Sequence, residues 1–326
     1  MKWYPVRRLF FSRSRVVVRA VDGVNFDLME GETLGLVGES GSGKSTLGRL
    51  LLRLEEATRG EVFFGERNIF RLGRRDLSSF RRKAQVVFQD PRGSLNPRMT
   101  VESMLVEPLV VHGVVKKRDA RRRAGELLEM VGLPSAYLAR YPHETSGGER
   151  QRIGIARALA LSPSFLVADE PVTALDMSVR GQIVNLLMDL QARFGLSYLL
   201  IAHDLGLVSH VSHRVMVMYL GKIVEVAPAD RLLTDPTHPY TELLLSALPG
   251  RRDQEARERP APEGEPGDPG SWSGAGPGSE SGASPANPPT GCVFHPRCRY
   301  ARTICRKEVP AMRQAAEGHQ IACVLW

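Results

Sequence analysis

The sequence predicts an α/β fold built on a mostly parallel sheet. Short, continuous apolar runs recur at Thr33–Val37, Gln85–Phe88, Phe165–Ala168 and Ser197–Ala202. Runs that are unbroken rather than alternating suit strands covered on both faces. Helical patterns lie between them. Leu47, Leu50, Leu51 and Leu54 share one helix face, and Val179, Ile183, Leu186, Leu187 and Leu190 mark another. Strands alternating with helices place those helices over a parallel sheet.

A chain of 326 residues has room for one large domain or two smaller ones. Residues 101–145 are helical and charged, with no convincing strand, and read as an insertion within a helical subdomain of about residues 90–162. From Arg251 to Thr290 the chain is mostly Pro, Gly, Ser, Ala and Glu, with Trp272 as its one large aromatic. Such a composition buries too little surface to offset its ordering entropy, so a flexible linker is expected. It divides a main body, residues 1–250, from a tail, residues 291–326, that holds all four cysteines.

Apolar residues make up 42% of the chain, an ordinary value for a globular protein. The longest apolar stretches, Tyr198–Ala202 and Val215–Leu220, have strand length and fall far short of the roughly 18 residues that a membrane span needs. No apolar segment of signal-peptide length follows the basic N-terminus, so a cytoplasmic location is expected. The net charge of +8 is concentrated in clusters such as Arg81-Arg82-Lys83 and Arg121-Arg122-Arg123. No aromatics interleave with them as a base-stacking platform requires, so they read as solvated surface and no nucleic-acid partner is expected.

The glycine-rich segment Gly38-Glu39-Ser40-Gly41-Ser42-Gly43-Lys44-Ser45 sits between the first apolar run and the leucine-faced helix. It fits the phosphate-loop pattern G-x-x-x-x-G-K-[ST], and strand before and helix after are the context that pattern demands. Glycines let backbone N–H groups converge on phosphate oxygens, and the helix N-terminus adds positive potential. Lys44 is placed to neutralise β/γ-phosphate charge, and Ser45 to coordinate Mg²⁺. Thr46, next in the helix, belongs to the same phosphate-binding set. In Phe165-Leu166-Val167-Ala168-Asp169-Glu170, four apolar residues run into two carboxylates at a strand end. Asp169 suits the Mg²⁺ shell, while Glu170, pointing elsewhere, suits a general base for an attacking water.

Further segments carry a family resemblance. Thr145-Ser146-Gly147-Gly148-Glu149 resembles the signature, usually L-S-G-G-Q, of the ABC (ATP-binding cassette) ATPases. Asp176 in Ala174-Leu175-Asp176 resembles the D-loop, His203 the switch histidine, and Gln89 in Phe88-Gln89-Asp90-Pro91 the Q-loop glutamine. The resemblance implies a phosphate-loop core of ABC type and a head-to-tail dimer with two ATP at the interface. Ser146, Gly147, Gly148 and Glu149 would then serve the partner's nucleotide. It also implies that His203 and Glu170 hold the attacking water and that Gln89 senses Mg²⁺ and links to the helical insertion, where the permease docks. Tyr4 resembles the adenine-stacking aromatic, and because the chain begins so near it, either the usual first strand is expected to be missing or the start site to be misassigned. Thr145 and Glu149 depart from the family pattern.

Segments outside the ATPase motifs resemble the oligopeptide/dipeptide importer branch. They include Asp235-Pro236-Thr237-His238-Pro239-Tyr240-Thr241 and Gly291-Cys292-Val293-Phe294-His295-Pro296-Arg297-Cys298. That branch implies a second ATPase subunit, identical or not, two membrane permease subunits, an extracytoplasmic solute-binding protein and a place on the cytoplasmic membrane face. Nickel or another small solute is the alternative cargo, and a soluble non-transport ABC ATPase the alternative class. The cysteine spacing lacks the tight pair of a zinc module. The branch implies a four-iron four-sulfur cluster on Cys292, Cys298, Cys305 and Cys323, with zinc as the alternative. His295 and His319 are expected to be polar packing residues, with ligation as their lesser role.

Overall fold

The computed structural model describes residues 1–6, 16–247 and 284–326. In chain order the body contains β1 (Lys2–Val6), β2 (Val16–Val21), β3 (Thr33–Val37), α1 (Lys44–Leu51), β4 (Phe63–Phe64), β5 (Arg67–Asn68), α2 (Arg74–Lys83) and β6 (Ala84–Val87). The helical insertion follows as α3 (Pro91–Ser94), α4 (Val101–Val111), α5 (Lys117–Met130) and α6 (Gly147–Leu159). The body is completed by β7 (Phe165–Asp169), α7 (Met177–Phe194), β8 (Ser197–Ile201), α8 (Leu205–Val211), β9 (Arg214–Tyr219), β10 (Lys222–Pro228), α9 (Ala229–Thr234) and α10 (Pro239–Ser246). The tail adds α11 (Thr303–Lys307), β11 (Arg313–Ala316) and β12 (His319–Ile321).

The main sheet has eight strands in the order β11-β12-β10-β9-β3-β8-β7-β6. From β9 to β6 every pairing is parallel; β10, β12 and β11 extend it as an antiparallel edge. Alternate side chains feed the two faces, as the pleat requires. Leu34, Leu36, Leu199, Ile201, Met216 and Met218 pack with Leu47 and Leu50 of α1. Val37, Leu200, Val215 and Val217 pack with Leu205 and Val208 of α8. This double coverage is why the runs read as continuous.

The four expected strands form, displaced by at most one residue at their ends. Leu54 departs from expectation. The helix ends at Leu51, Arg53 takes a left-handed φ of 48°, and Leu54 is half exposed beyond the turn. The first strand, expected to be missing, is present: β1 pairs antiparallel with β2. The insertion is helical as expected, with Val101, Met104, Leu105, Leu109, Leu127 and Leu128 buried in its core.

The tail is not a separate appendage. β12 pairs with β10, so the tail extends the sheet of the body. Glu225 of β10 is fully buried; it accepts the Thr237 and His238 N–H groups at 2.7 and 3.1 Å and bonds His319 Nε2 at 2.7 Å. A buried carboxylate needs such partners, and here they tie the tail and the start of α10 to one strand. Residues 284–290, expected to belong to the linker, also have contacts: the Arg19 N–H donates to the Pro285 carbonyl at 2.8 Å. Residues 251–283 of that expected linker lie outside the described residues.

Candidate functional site

The loop between β3 and α1 owes its shape to glycine. Gly43 has φ +108°, and a Cβ there would sit 1.9 Å from the Ala20 carbonyl oxygen. At Gly38, φ is +154° and a Cβ would lie 2.1 Å from the Met218 carbonyl oxygen. Any larger residue would push the loop off β2 and β9. Ser40 and Gly41 are exposed at the tip, and Ser42 is buried.

Lys44 lies in the cup of this loop with only 5% of its surface exposed. Its Nζ donates to the carbonyls of Gly38 and Glu39 at 2.7 and 2.8 Å and reaches Ser42 Oγ at 3.5 Å. Burial lowers its pKa, against the opposing pull of Glu170, Asp169 and Glu39. Ser45 Oγ donates to Asp169 Oδ1 at 3.0 Å, so the loop serine and the carboxylate ending β7 meet across 124 residues of chain. Burial raises the Asp169 pKa. Two oxygens so placed beside a phosphate cup are the donor set a hard divalent cation takes.

Glu170 leaves the strand with φ +47°, a left-handed conformation that non-glycine residues rarely adopt. Its Oε2 accepts from Gln89 Nε2 at 2.9 Å and from Thr173 Oγ1 at 3.0 Å, and lies 3.7 Å from His203 Nδ1. Gln89, Glu170 and His203 are thus brought together. Thr173 was missed; its only trace in the sequence is its place three residues after the carboxylate. Gln89, expected among the Mg²⁺ contacts, bonds Glu170 here.

Tyr4 sits beside α1: its hydroxyl bonds Glu55 and the Thr46 side chain, and Lys2 Nζ lies 4.9 Å from its ring centroid. Glu39 of the loop differs from expectation in one respect. Its carboxylate is held by Arg297 of the tail, at 2.8 and 2.9 Å.

Ser146 caps α6. Its Oγ accepts from the Glu149 N–H at 3.3 Å, and Glu149 Oε2 accepts from the Ser146 N–H at 2.7 Å. Glu149 Oε1 takes a second bond, from Tyr137 Oη at 2.5 Å, and these bonds lower its pKa. Thr145 is buried, its hydroxyl donating to the Pro142 carbonyl at 2.8 Å. Gly148 packs so closely on α7 that a Cβ would meet Val179 Cγ1 at 2.6 Å. Asp176 is exposed at the start of α7.

The four cysteine side chains line one small cavity with His238, Pro239, Phe294, His295, Val324 and Leu325. Burial raises the Cys292 thiol, pushes Cys298 up to about 12 and pushes Cys323 up to about 11. His295 Nδ1 bonds the Cys292 carbonyl at 2.9 Å and His319 bonds Glu225, so both histidines serve packing here. Among the described residues, no three His, Cys, Asp or Glu side chains are placed to hold a metal ion. No helix among them is long and apolar enough to cross a membrane.

Comparison with known proteins agrees with this geometry. Residues 21–173 match the family described as ABC transporter. Residues 224–305 match the oligopeptide/dipeptide transporter C-terminal region, a span that begins on β10, where the tail joins the sheet. The oligopeptide transport ATP-binding protein AppF of Bacillus subtilis (strain 168) is 47% identical over 328 residues, covering 100% of this chain and 95% of that protein. The dipeptide transport ATP-binding protein DppF of Haemophilus influenzae is 45% identical over 322 residues, covering 99% and 93%. Among solved structures, the dimeric ATP-binding cassette MJ0796, bound to ADP and Pi in a post-hydrolysis state, superimposes with a TM-score of 0.61. That match is 30% identical and covers 70% of this chain and 95% of the other.

Proposed function

Because the chain belongs to the ABC transporter family, in its oligopeptide/dipeptide branch, we propose that it hydrolyses ATP to energise a peptide importer. The observation that carries this reading is the convergence, at one end of the parallel strands, of a phosphate cup with two polar clusters. One is Lys44 with Ser45 and Asp169; the other is Gln89, Glu170 and His203.

In this reading Lys44 exchanges its bonds to the Gly38 and Glu39 carbonyls for β/γ-phosphate oxygens, so the cup is preformed and the charge already desolvated. Loop N–H groups and the start of α1 bind the same phosphates, with Gly38, Glu39, Ser40, Gly41, Ser42, Gly43 and Thr46 contributing. Tyr4 of β1, beside α1, carries the adenine. Ser45 and Asp169 would hold Mg²⁺, which when bound would neutralise phosphate charge. Glu170 orients and deprotonates the attacking water, and His203 and Gln89 fix where that water and the γ-phosphate sit. His203 Nδ1 lies 3.7 Å from Glu170 Oε2, near enough for one water to contact both.

Ser146, Gly147, Gly148 and Glu149 present the start of α6 to the nucleotide of a second ATPase subunit, with Asp176 beside them at that interface. That subunit is identical or homologous. Closure of the pair drives two membrane permease subunits through the helical insertion, at the cytoplasmic membrane face, with solute delivered by an extracytoplasmic binding protein. The relatives are named for peptides, which favours peptide over nickel as cargo.

For the tail, a four-iron four-sulfur cluster on Cys292, Cys298, Cys305 and Cys323 is supported by the convergence of all four thiols on one cavity. Neutral buried thiols in that cavity would be converted to thiolates by the charge of bound iron.

The test is peptide uptake by proteoliposomes containing the permease pair, the binding protein and this chain with its ATPase partner. ATP-dependent accumulation of labelled peptide, abolished by Glu170→Gln, is expected. Uptake of nickel and not of peptide would replace the cargo assignment, and uptake insensitive to Glu170→Gln would remove the base assignment.

A further inference from the structure

We propose that Arg297 is a positioning residue of the nucleotide site: it holds the phosphate loop through Glu39 and so couples the tail to ATP affinity. The proposal rests on the phosphate-site reading above and extends it to a residue 258 positions away in the chain.

Glu39 is fixed at three points. Its N–H donates to Tyr240 Oη at 2.9 Å, its carbonyl accepts from Lys44 Nζ at 2.8 Å, and its carboxylate accepts both terminal nitrogens of Arg297. Two-point geometry makes this pair directional, and partial burial strengthens it: 9% of the Arg297 side chain and 31% of that of Glu39 are exposed. An arginine guanidinium is not deprotonated in proteins, so this partner keeps its charge.

Arg297 is itself held. Its guanidinium lies 5.7 Å from the Tyr219 ring centroid and 5.9 Å from that of Phe294. Tyr219, Tyr240 and Phe294 form a mutual cluster with centroids 4.6 to 5.3 Å apart. Arg297 ends the short 3₁₀ turn His295–Arg297, and the residues on either side of that turn, Phe294 and Cys298, line the cysteine cavity. A shift of the turn is therefore transmitted to the loop through one rigid fork.

Two consequences follow for ATP. The loop contains glycines at φ +154°, +78° and +108°, positions with wide conformational freedom, and anchoring Glu39 removes freedom that phosphate binding would otherwise have to remove. Arg297 also neutralises a carboxylate that stands beside the incoming phosphates. Without Arg297, that carboxylate repels them.

The experiment measures MgATP affinity by equilibrium dialysis, with thermal melting, for the full chain and for Arg297→Gln, Arg297→Lys, Glu39→Gln and the double variant Arg297→Gln/Glu39→Gln. Arg297→Gln is expected to weaken MgATP binding about tenfold or more with kcat at saturating ATP nearly unchanged. Arg297→Lys, keeping a point charge, recovers part of the loss. The double variant binds no more weakly than Arg297→Gln alone, because the repelling carboxylate is gone. A lowered melting temperature with unchanged affinity would reduce Arg297 to a structural residue and overturn the proposal, as would losses that simply add. Should Arg297→Gln fail to fold, hydrogen exchange on the unaltered chain decides. Coupling is reciprocal, so MgATP must slow amide exchange at residues 292–298, and no slowing overturns the proposal. Lys44→Met separates the two readings. If it retains full affinity, the phosphate-site reading itself fails; if it loses affinity while Arg297→Gln does not, only this inference fails.

Discussion

Gln89 donates a 2.9 Å hydrogen bond to Glu170, joining the end of β6 to the end of β7 across 81 residues of sequence. The same carboxylate oxygen receives Thr173 and faces His203, so one atom gathers three polar groups from three segments. Such an atom is poised to exchange one of these partners for a water. Glu170→Gln removes its basicity and keeps its size. Hydrolysis should fall by roughly 10²- to 10⁴-fold, the contribution of a general base, while MgATP still binds. Phosphate release with parallel dialysis measures both; wild-type turnover would mean the base is another group.

Lys44→Met tests the cup differently. The ammonium is buried and costly to desolvate, and methionine fills similar space without charge. The nucleotide-free variant should therefore melt no lower than the native chain. The rise in melting temperature that MgATP gives the native chain should vanish. A retained rise would show that the phosphates do not rely on this cation.

Glu149 adds negative charge where Ser146 begins α6, and its bonds lower its pKa, so it stays ionised at neutral pH. A carboxylate at a helix start opposes an anion arriving there. Glu149→Gln keeps an oxygen for the Ser146 N–H and removes the charge. In a hydrolysis-deficient Glu170→Gln background, the ATP-bound dimer should tighten up to about fivefold, the worth of about 1 kcal/mol at a helix terminus. Sedimentation with MgATP reads the result, and a weaker dimer would show that the charge assists closure.

Glu32 offers a pH test away from the site. It is buried and accepts from Arg214 Nε at 2.6 Å and from the Met29 N–H at 2.8 Å. Burial alone would raise its pKa from 4.5, but Arg214 and the Met29 N–H prevail and lower it. A carboxylate with a depressed folded-state pKa contributes stability that is complete above its unfolded value. That stability is lost as pH falls from about 4.5 through the lower folded value. Glu32→Gln should cost about 1–3 kcal/mol at pH 7, because Arg214 loses its charged partner just before β3 and keeps only its bonds to Asp27, and should flatten this acid-side decline. Urea unfolding between pH 7 and 3 compares the two slopes; equal slopes would exclude Glu32 as their source.

By itself, the sequence determined whatever is carried by consecutive residues. The phosphate loop, the strand ending in Asp169-Glu170, the Ser146 helix start and the segment at Gln89 are each a few residues long. In each, local backbone conformation and chemistry are specified together, and the expected residues meet. Parallel strands were legible for the same reason, since coverage on both faces makes β3 and β8 apolar throughout. Only the tertiary structure decided where the tail goes. Arg313–Ala316 and His319–Ile321 are short and partly polar, and they become strands because β10 offers an unpaired edge and Glu225 a buried partner for His319. No local pattern encodes a hydrogen-bonding edge supplied from a hundred residues away. Thr173 and Arg297 were illegible for the same physical reason. Each is an ordinary polar residue in its own segment, and each acquires a role only when folding sets it against a carboxylate, Glu170 or Glu39.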